Sequence, residues 1–381
     1  MTKQPCWAQG RRDELMKSLL SAALLLLAAS AASADTPTSG WRELDFTPLR
    51  WYAGKDEHLR NPMIVSNQLV MRAPGDKLIG IELGTGEATS FNMPASLVSA
   101  AADDSGHAWE LMGEWLSGNL YVATSDLQHD FYSSKWKVSP PLPFDTAKKQ
   151  NEEDGDSPIA VAAGYGKTYV LTRKWLFSIS LGGTWSSTRI SPALDLLETT
   201  RHVALINENR FWLGLDNGEW DGKLINVELD SGKTHDWSDM NANAVVADPS
   251  GQGCILASGG LLHFLSSGEL VRVCGEKTQT LYKGEQPIWG LVNSGKEVFA
   301  VVDGGMVPVR GSGLVMDEKS DFSKPVSMLA DIPAQTAGRF LLVYSAARWE
   351  VSLSGMTPYV VALPDGVRPK LEPMPSGQAG D

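Results

Sequence analysis

Long apolar runs, paired histidines and a surplus of positive charge are all missing from this chain, and each absence closes off a class of function. One apolar stretch stands out, Leu19 to Ala29. At about 11 residues it is too short to cross a bilayer as a helix, which needs about 20. His58, His107, His129, His202, His235 and His263 are scattered with no close pair, so their spacing predicts no metal site. Neither Gly-x-Ser-x-Gly nor His-Glu-x-x-His occurs, which removes the local signatures of common hydrolases and zinc proteases. Lys and Arg number 33 against 45 Asp and Glu, a net charge of −12. That balance repels phosphate backbones, and no basic cluster offsets it, so nucleic acid is not an expected partner. Beyond the first residues no segment has the 3.6-residue apolar period of an amphipathic helix.

What is present begins with a leader. Met16-Lys17, the apolar core with Leu24 to Leu27 at its centre, and Ala32-Ser33-Ala34 before Asp35 form the charged start, apolar run and small-residue cleavage site of a secretory signal peptide over residues 1–34. Asp13 and Glu14 put acid where such a start should be basic, so Met16 reads as the true first residue. They also occupy the places after Arg11-Arg12 where a twin-arginine signal needs apolar residues. Cleavage leaves 29 basic against 43 acidic residues, net −14. A soluble periplasmic or secreted protein, without membrane insertion and monomeric, is expected.

The strongest signal is a repeat. Tyr169, Phe211, Cys254, Val298 and Phe340 open one recurring strand at steps of 42, 43, 44 and 42, with Leu69 and Trp109 upstream, 40 apart. A period of about 40–45 residues made of short strands and turns predicts four-stranded blades repeated around an axis. The step of 60 from Trp109 to Tyr169 holds Ser139-Pro140-Pro141-Leu142-Pro143 and an acidic run with Glu152, Glu153, Asp154 and Asp156. Residues 138–157 therefore read as a surface loop. Hairpin turns recur at Leu83–Glu87, Leu181–Gly183, Asp230–Lys233, Leu265–Glu269 and Leu353–Gly355. The fold class that results is all-β: a seven-bladed β-propeller of four-stranded antiparallel blades over residues 41–363. Trp41 to Tyr52 supplies the strand that completes the last blade. Six or eight blades are the alternatives under another closure register, and residues 364–381, with Pro369, Pro373 and Pro375, read as a disordered tail.

The mature chain keeps two cysteines, Cys254 and Cys274. With the strand Leu261 to Leu265 between theirs they would lie two strand spacings apart, about 9.6 Å, beyond the roughly 7 Å that a disulfide spans. Free, buried thiols are the expectation.

Leu229-Asp230-Ser231-Gly232-Lys233-Thr234-His235-Asp236-Trp237, with a weaker copy from Gly84 to Phe91, is similar to the turn-and-docking pattern of quinoprotein repeats. The chain as a whole resembles the exported bacterial β-propellers of the quinoprotein-like and WD40/YVTN-like superfamilies. The resemblance implies the fold. It carries over no catalytic residue, and the docking Trp is absent from most blades.

Aromatic residues gather where the second and third strands of a blade join: Glu114-Trp115, Arg173 with Trp175, Glu219-Trp220 and Arg348-Trp349, the first and third inside a repeated Gly-Glu-Trp. Equivalent turns open on one propeller face, and a flat ring beside a charge suits a sugar or a peptide side chain. These eight residues are the candidate ligand-binding set. The competing reading has each Trp opening a third strand and packing between blades, which the alternation of Trp175 with Phe177 and of Trp349 with Val351 favours. Asp216 to Asp221 lacks calcium-loop spacing and reads as a solvated hairpin. Gly164-Tyr165-Gly166-Lys167-Thr168 leads into a strand, not a helix, and reads as a turn. No catalytic constellation, metal or cofactor is predicted. A non-catalytic binding module for a small ligand or peptide is the leading function, then a scaffold for envelope proteins, then a propeller enzyme such as a quinoprotein, lyase or hydrolase.

Overall fold

The computed structural model describes residues 41–45, 60–65, 68–73, 77–82, 88–92, 96–102, 107–113, 120–126, 137–143, 156, 158–180, 182–195, 201–218, 222–262, 266–322, 326–327, 335–337, 340–345, 357–362 and 371–373. Outside 139–322 this is strand backbone, with side chains only at Val70, Met71, Ile79 and Ala101. The expected leader lies outside the described residues.

Alternation builds the sheets. In the strand Lys167–Thr172, Tyr169 and Leu171 turn toward one neighbouring sheet and Val170 toward the other. In Arg210–Asp216, Phe211, Leu213 and Leu215 pack back onto Tyr169 and Leu171, while Trp212 packs forward with Leu224, Ile255 and Val271. Both of these sheets are buried on both faces, so their second strands are apolar almost throughout. Burying side chains such as Phe211 and Leu213 contributes roughly 1.5–3 kcal/mol each.

Among the described residues the strands form seven sheets, six of them in simple antiparallel chain order. Their innermost strands are Arg60–Val65, Ser96–Ala102, Pro158–Gly164, Arg201–Asn207, Ala242–Ala247 and Gly290–Asn293. Each touches the next, Gly290–Asn293 touches Gln335–Ala337 of the last sheet, and Gln335–Ala337 touches Arg60–Val65, so the contacts return to their start. The centre is crowded and the inner strands are correspondingly small, with Ala160, Ala162 and Ala163 in one and Ala242, Ala244 and Ala247 in another. A Cβ on Gly164 would lie 2.9 Å from Ile206 of the next sheet. The last sheet is completed from the other end of the chain, where Trp41–Asp45 pairs antiparallel with Thr357–Ala362, Leu44 facing Val360.

The predicted turns Gly164–Lys167 and Asp230–Lys233 are present. Tyr165 and Gly166 have φ of 54° and 67°, the left-handed pair of a tight hairpin. Gly232 has φ of 69°, and a Cβ there would come within 2.1 Å of the Arg189 carbonyl of the preceding sheet.

Two expectations need correction. The turn expected at Leu265–Glu269 does not fall there: Ser266–Cys274 is one long strand, paired with Ile255–Leu262 on one side and Lys277–Gly284 on the other. Gly268 marks instead a close backbone approach, its would-be Cβ 1.9 Å from the Gln286 carbonyl. Consequently only one strand step separates the cysteines. Cys254 and Cys274 form a disulfide with Cα atoms 4.3 Å apart, and the expectation of free thiols fails. The proline loop is also fastened. Leu142 is buried with Val161, Val170 and Phe177, and the Trp185 indole N–H donates to the Pro140 carbonyl at 2.9 Å. Finally, Leu371–Pro373, inside the stretch read as a disordered tail, pairs in parallel with Trp41–Glu43, whose outer edge is open to it.

Candidate functional site

The blades have two ends: one where strands one and two join, the other where strands two and three join. Close approaches between neighbouring sheets keep these ends in register. Gly164 meets Ile206 at the first end. At the second, the Asn243 amide donates to the Ile288 carbonyl at 2.6 Å.

The Arg173-Lys174-Trp175 turn lies at the second end and is built by a residue far away in sequence. Asp156, only 3% exposed, accepts the Thr172 hydroxyl at 3.0 Å and the Lys174 N–H at 3.2 Å. Thr172 Oγ1 in turn accepts the Trp175 N–H at 2.9 Å. Arg173 donates from Nε to the Leu194 carbonyl at 3.2 Å and remains part-exposed, as does Trp175. Trp175 opens its strand opposite Arg189 and packs 6.3 Å from Phe177 against the cluster with Leu142. It thus combines a packing role with a partly open ring.

The corresponding turn of the fourth sheet begins with Asp216, 4% exposed, whose Oδ1 accepts the Gly218 N–H at 3.0 Å. The expected solvated hairpin therefore starts from a buried carboxylate. Asn241 of the next sheet donates to the Gly218 carbonyl, holding the Gly of the Gly-Glu-Trp motif. Glu114, Trp115, Glu219, Trp220, Arg348 and Trp349 lie outside the described residues.

Two further residues at this end were not singled out in the sequence. Trp289, just before an innermost strand, donates its indole N–H to Asp303 at 2.7 Å; Asp303 sits in the turn between strands two and three and is exposed, and Trp289 is half-buried. This is the ring-and-carboxylate pair anticipated for other blades, assembled here from two segments rather than one tripeptide. His202 also starts an innermost strand. Solvent reaches its ring, yet protein walls enough of it that burial lowers its pKa below the ordinary 6.5, leaving it neutral at pH 7. The signal that could have found Asp156 is the single acidic residue two places before an inner strand. Nothing local marks Trp289 and Asp303 as partners.

No protein-family model matches this chain, and no curated protein matches it in sequence. Solved structures do match. YCF48 from Cyanidioschyzon merolae aligns with a TM-score of 0.52 at 10% identity, over 86% of this chain and all of that one. YCF48 bound to D1 peptide gives a TM-score of 0.52 at 8% identity over 87% and 97%. The β-propeller domain of the trilobed protease from Pyrococcus furiosus gives 0.48 at 8% identity over 81% and 95%. With the sheet topology described above, the fold is that of a β-propeller.

Proposed function

We propose that this chain is an exported, non-catalytic binding module, a closed seven-bladed propeller that holds an extended peptide on the face where strands two and three join. The observation that carries the reading is the gathering of partly open aromatic and charged side chains on that one face. Arg173 and Trp175 stand on one blade and Trp289 with Asp303 on another, all set by hydrogen bonds from buried or neighbouring residues. Flat rings give large contact area at small entropic cost, and adjacent charges fix register. The sequence repeats the same residue types in Gly-Glu-Trp at 113–115 and 218–220 and in Arg348 with Trp349. The structural likeness to a propeller bound to D1 peptide supports a peptide rather than a sugar. The disulfide supports export, because such bonds persist outside the cytosol. It agrees with cleavage of a signal at residues 1–34 and a periplasmic or secreted, monomeric product.

The test is selection of peptides from a displayed library on the full mature chain, followed by replacement of Trp115, Trp220 and Trp289 by Ala. Selected peptides should bind the triple variant at least about tenfold more weakly, with little change in melting. No enrichment on the wild type, or unfolding of the triple variant with each single replacement costing about 3–5 kcal/mol, would sink the reading.

A further inference from the structure

Away from that face, the seam between the fourth and fifth blades holds a small polar cavity. Its volume is about 60 Å³, and it is lined by Arg210, Asn226, Glu228, Trp237 and, from the fifth blade, Glu276. One water needs only about 10–15 Å³. Two of its lining residues carry buried donors that find no partner, Asn226 Nδ2 and Trp237 Nε1; the adjoining Trp212, which does not itself line the cavity, has an unpartnered Nε1 as well. They belong to one packed group. Trp212 faces Asn226 across the sheet ladder, and Trp237 stacks on Trp212 with ring centroids 5.7 Å apart. Asn226 is 2% exposed and Trp212 1%.

Arg210 covers this group. Its guanidinium lies 6.0 Å from the Trp212 ring and 5.9 Å from the Trp237 ring, and it crosses to the fifth blade, donating to the Gly275 carbonyl and to Glu276 at 2.9 Å each. Glu276 thereby balances Arg210, and what is left unsatisfied in the wall is neutral N–H donors. Leaving a buried donor unmade costs about 1–3 kcal/mol, and two in one wall call for an occupant that accepts more than one hydrogen bond. The charged lining residues, Arg210 and Lys233 against Glu228 and Glu276, offset each other, so the wall has no surplus positive charge for a doubly charged phosphate; a carboxylate brings two acceptor oxygens and a single charge.

We propose that this seam is a binding site for a carboxylate group, with Asn226 and Trp237 as donors, the Trp212 ring packed beside them and Arg210 as the cationic cover. The site is independent of the peptide-binding face, since none of its residues lies there.

The test uses acetate on the oxidised full mature chain labelled with 15N. The indole N–H resonances of Trp212 and Trp237, identified by Trp212→Phe and Trp237→Phe, should shift saturably with acetate and not with chloride at equal ionic strength. Asn226→Leu removes an unpartnered donor in favour of an apolar group, so it should melt no lower than wild type and bind acetate about tenfold more weakly or worse. The proposal is overturned if neither resonance responds in wild type, which would leave ordered water as the occupant. It is overturned equally if chloride reproduces the shift or Asn226→Leu keeps it. Should Asn226→Leu fail to fold, Asn226 has a structural partner and the proposal fails on that result too.

Discussion

The two ends of the blades are held by different bonds. At the end where strands one and two join, the fifth blade is fastened by strong, partly buried links, one of which crosses to the sixth. Cys254 is bonded to Cys274; Arg272 reaches Asp248 at 2.6 Å and the Gly311 carbonyl of the sixth blade at 3.2 Å. At the opposite end the turns are set by single side chains bonded to backbone, as in Asp156 to Lys174, Asn241 to Gly218 and Asn243 to Ile288. One end therefore carries the strongest links, covalent and ionic. The other presents aromatic and charged groups whose removal need not loosen the ring, which is the division the proposed binding face requires.

The largest expected effect comes from breaking the fastened end. Asp248 is 6% exposed. Burial would raise its carboxyl pKa, but hydrogen bonds from Ser250 and Arg272 and the Arg272 charge together hold it below the ordinary value of 3.8. Arg272→Leu strands this carboxylate and should cost about 3–5 kcal/mol by denaturant titration at pH 7. Because the folded pKa is depressed, the stabilisation is present above the unfolded value near 3.8 and is lost as pH falls through the folded one. In the acid range below pH 4 the variant and wild type should thus converge; a gap that stays constant there removes Asp248 as its cause. Next comes the disulfide, which closes a separation of 20 residues. Replacing both cysteines by Ser should cost about 3 kcal/mol, while peptides selected on the wild type keep their affinity. If affinity drops as much as stability, the two ends are not separable.

Gly232→Ala tests the blade seam. It puts a Cβ on a left-handed residue against a neighbouring carbonyl and should destabilise by about 1–3 kcal/mol. A neutral result would mean the turn relocates freely. Asp156→Asn should cost less, about 1 kcal/mol, because Asn retains one acceptor oxygen; its clearer mark is loss of peptide binding from a disordered Arg173–Trp175 turn, read by the Trp175 fluorescence. Smallest is Asp303→Asn, where a surface change within about 0.5 kcal/mol is expected together with altered peptide preference. A large stability loss there would erase the contrast between the ends.

Much of the fold was legible because a two-residue alternation and a recurring second strand survive in one dimension. Tyr169, Phe211, Cys254 and Val298 each sit in or beside that strand, and all are buried. Where reading failed, glycine was the reason. Gly268 looks like a turn residue in sequence, but it is needed for the approach of Gln286 across a seam, and the misplaced turn moved Cys274 one strand too far from Cys254. The site was less legible. Arg173 and Trp175 were visible as neighbours in sequence, whereas the Trp289–Asp303 pair and the Asp156 support depend on segments 14 to 18 residues apart meeting at a blade end.

By itself, then, the order of residues decided the strand rhythm and the place of several turns, since these follow from local periodicity and backbone freedom. Only the packed ring decided which cysteines meet, which buried carboxylates shape the turns and which indole and amide donors are left facing a cavity. Those depend on distances between blades, and no local pattern encodes a distance across a seam.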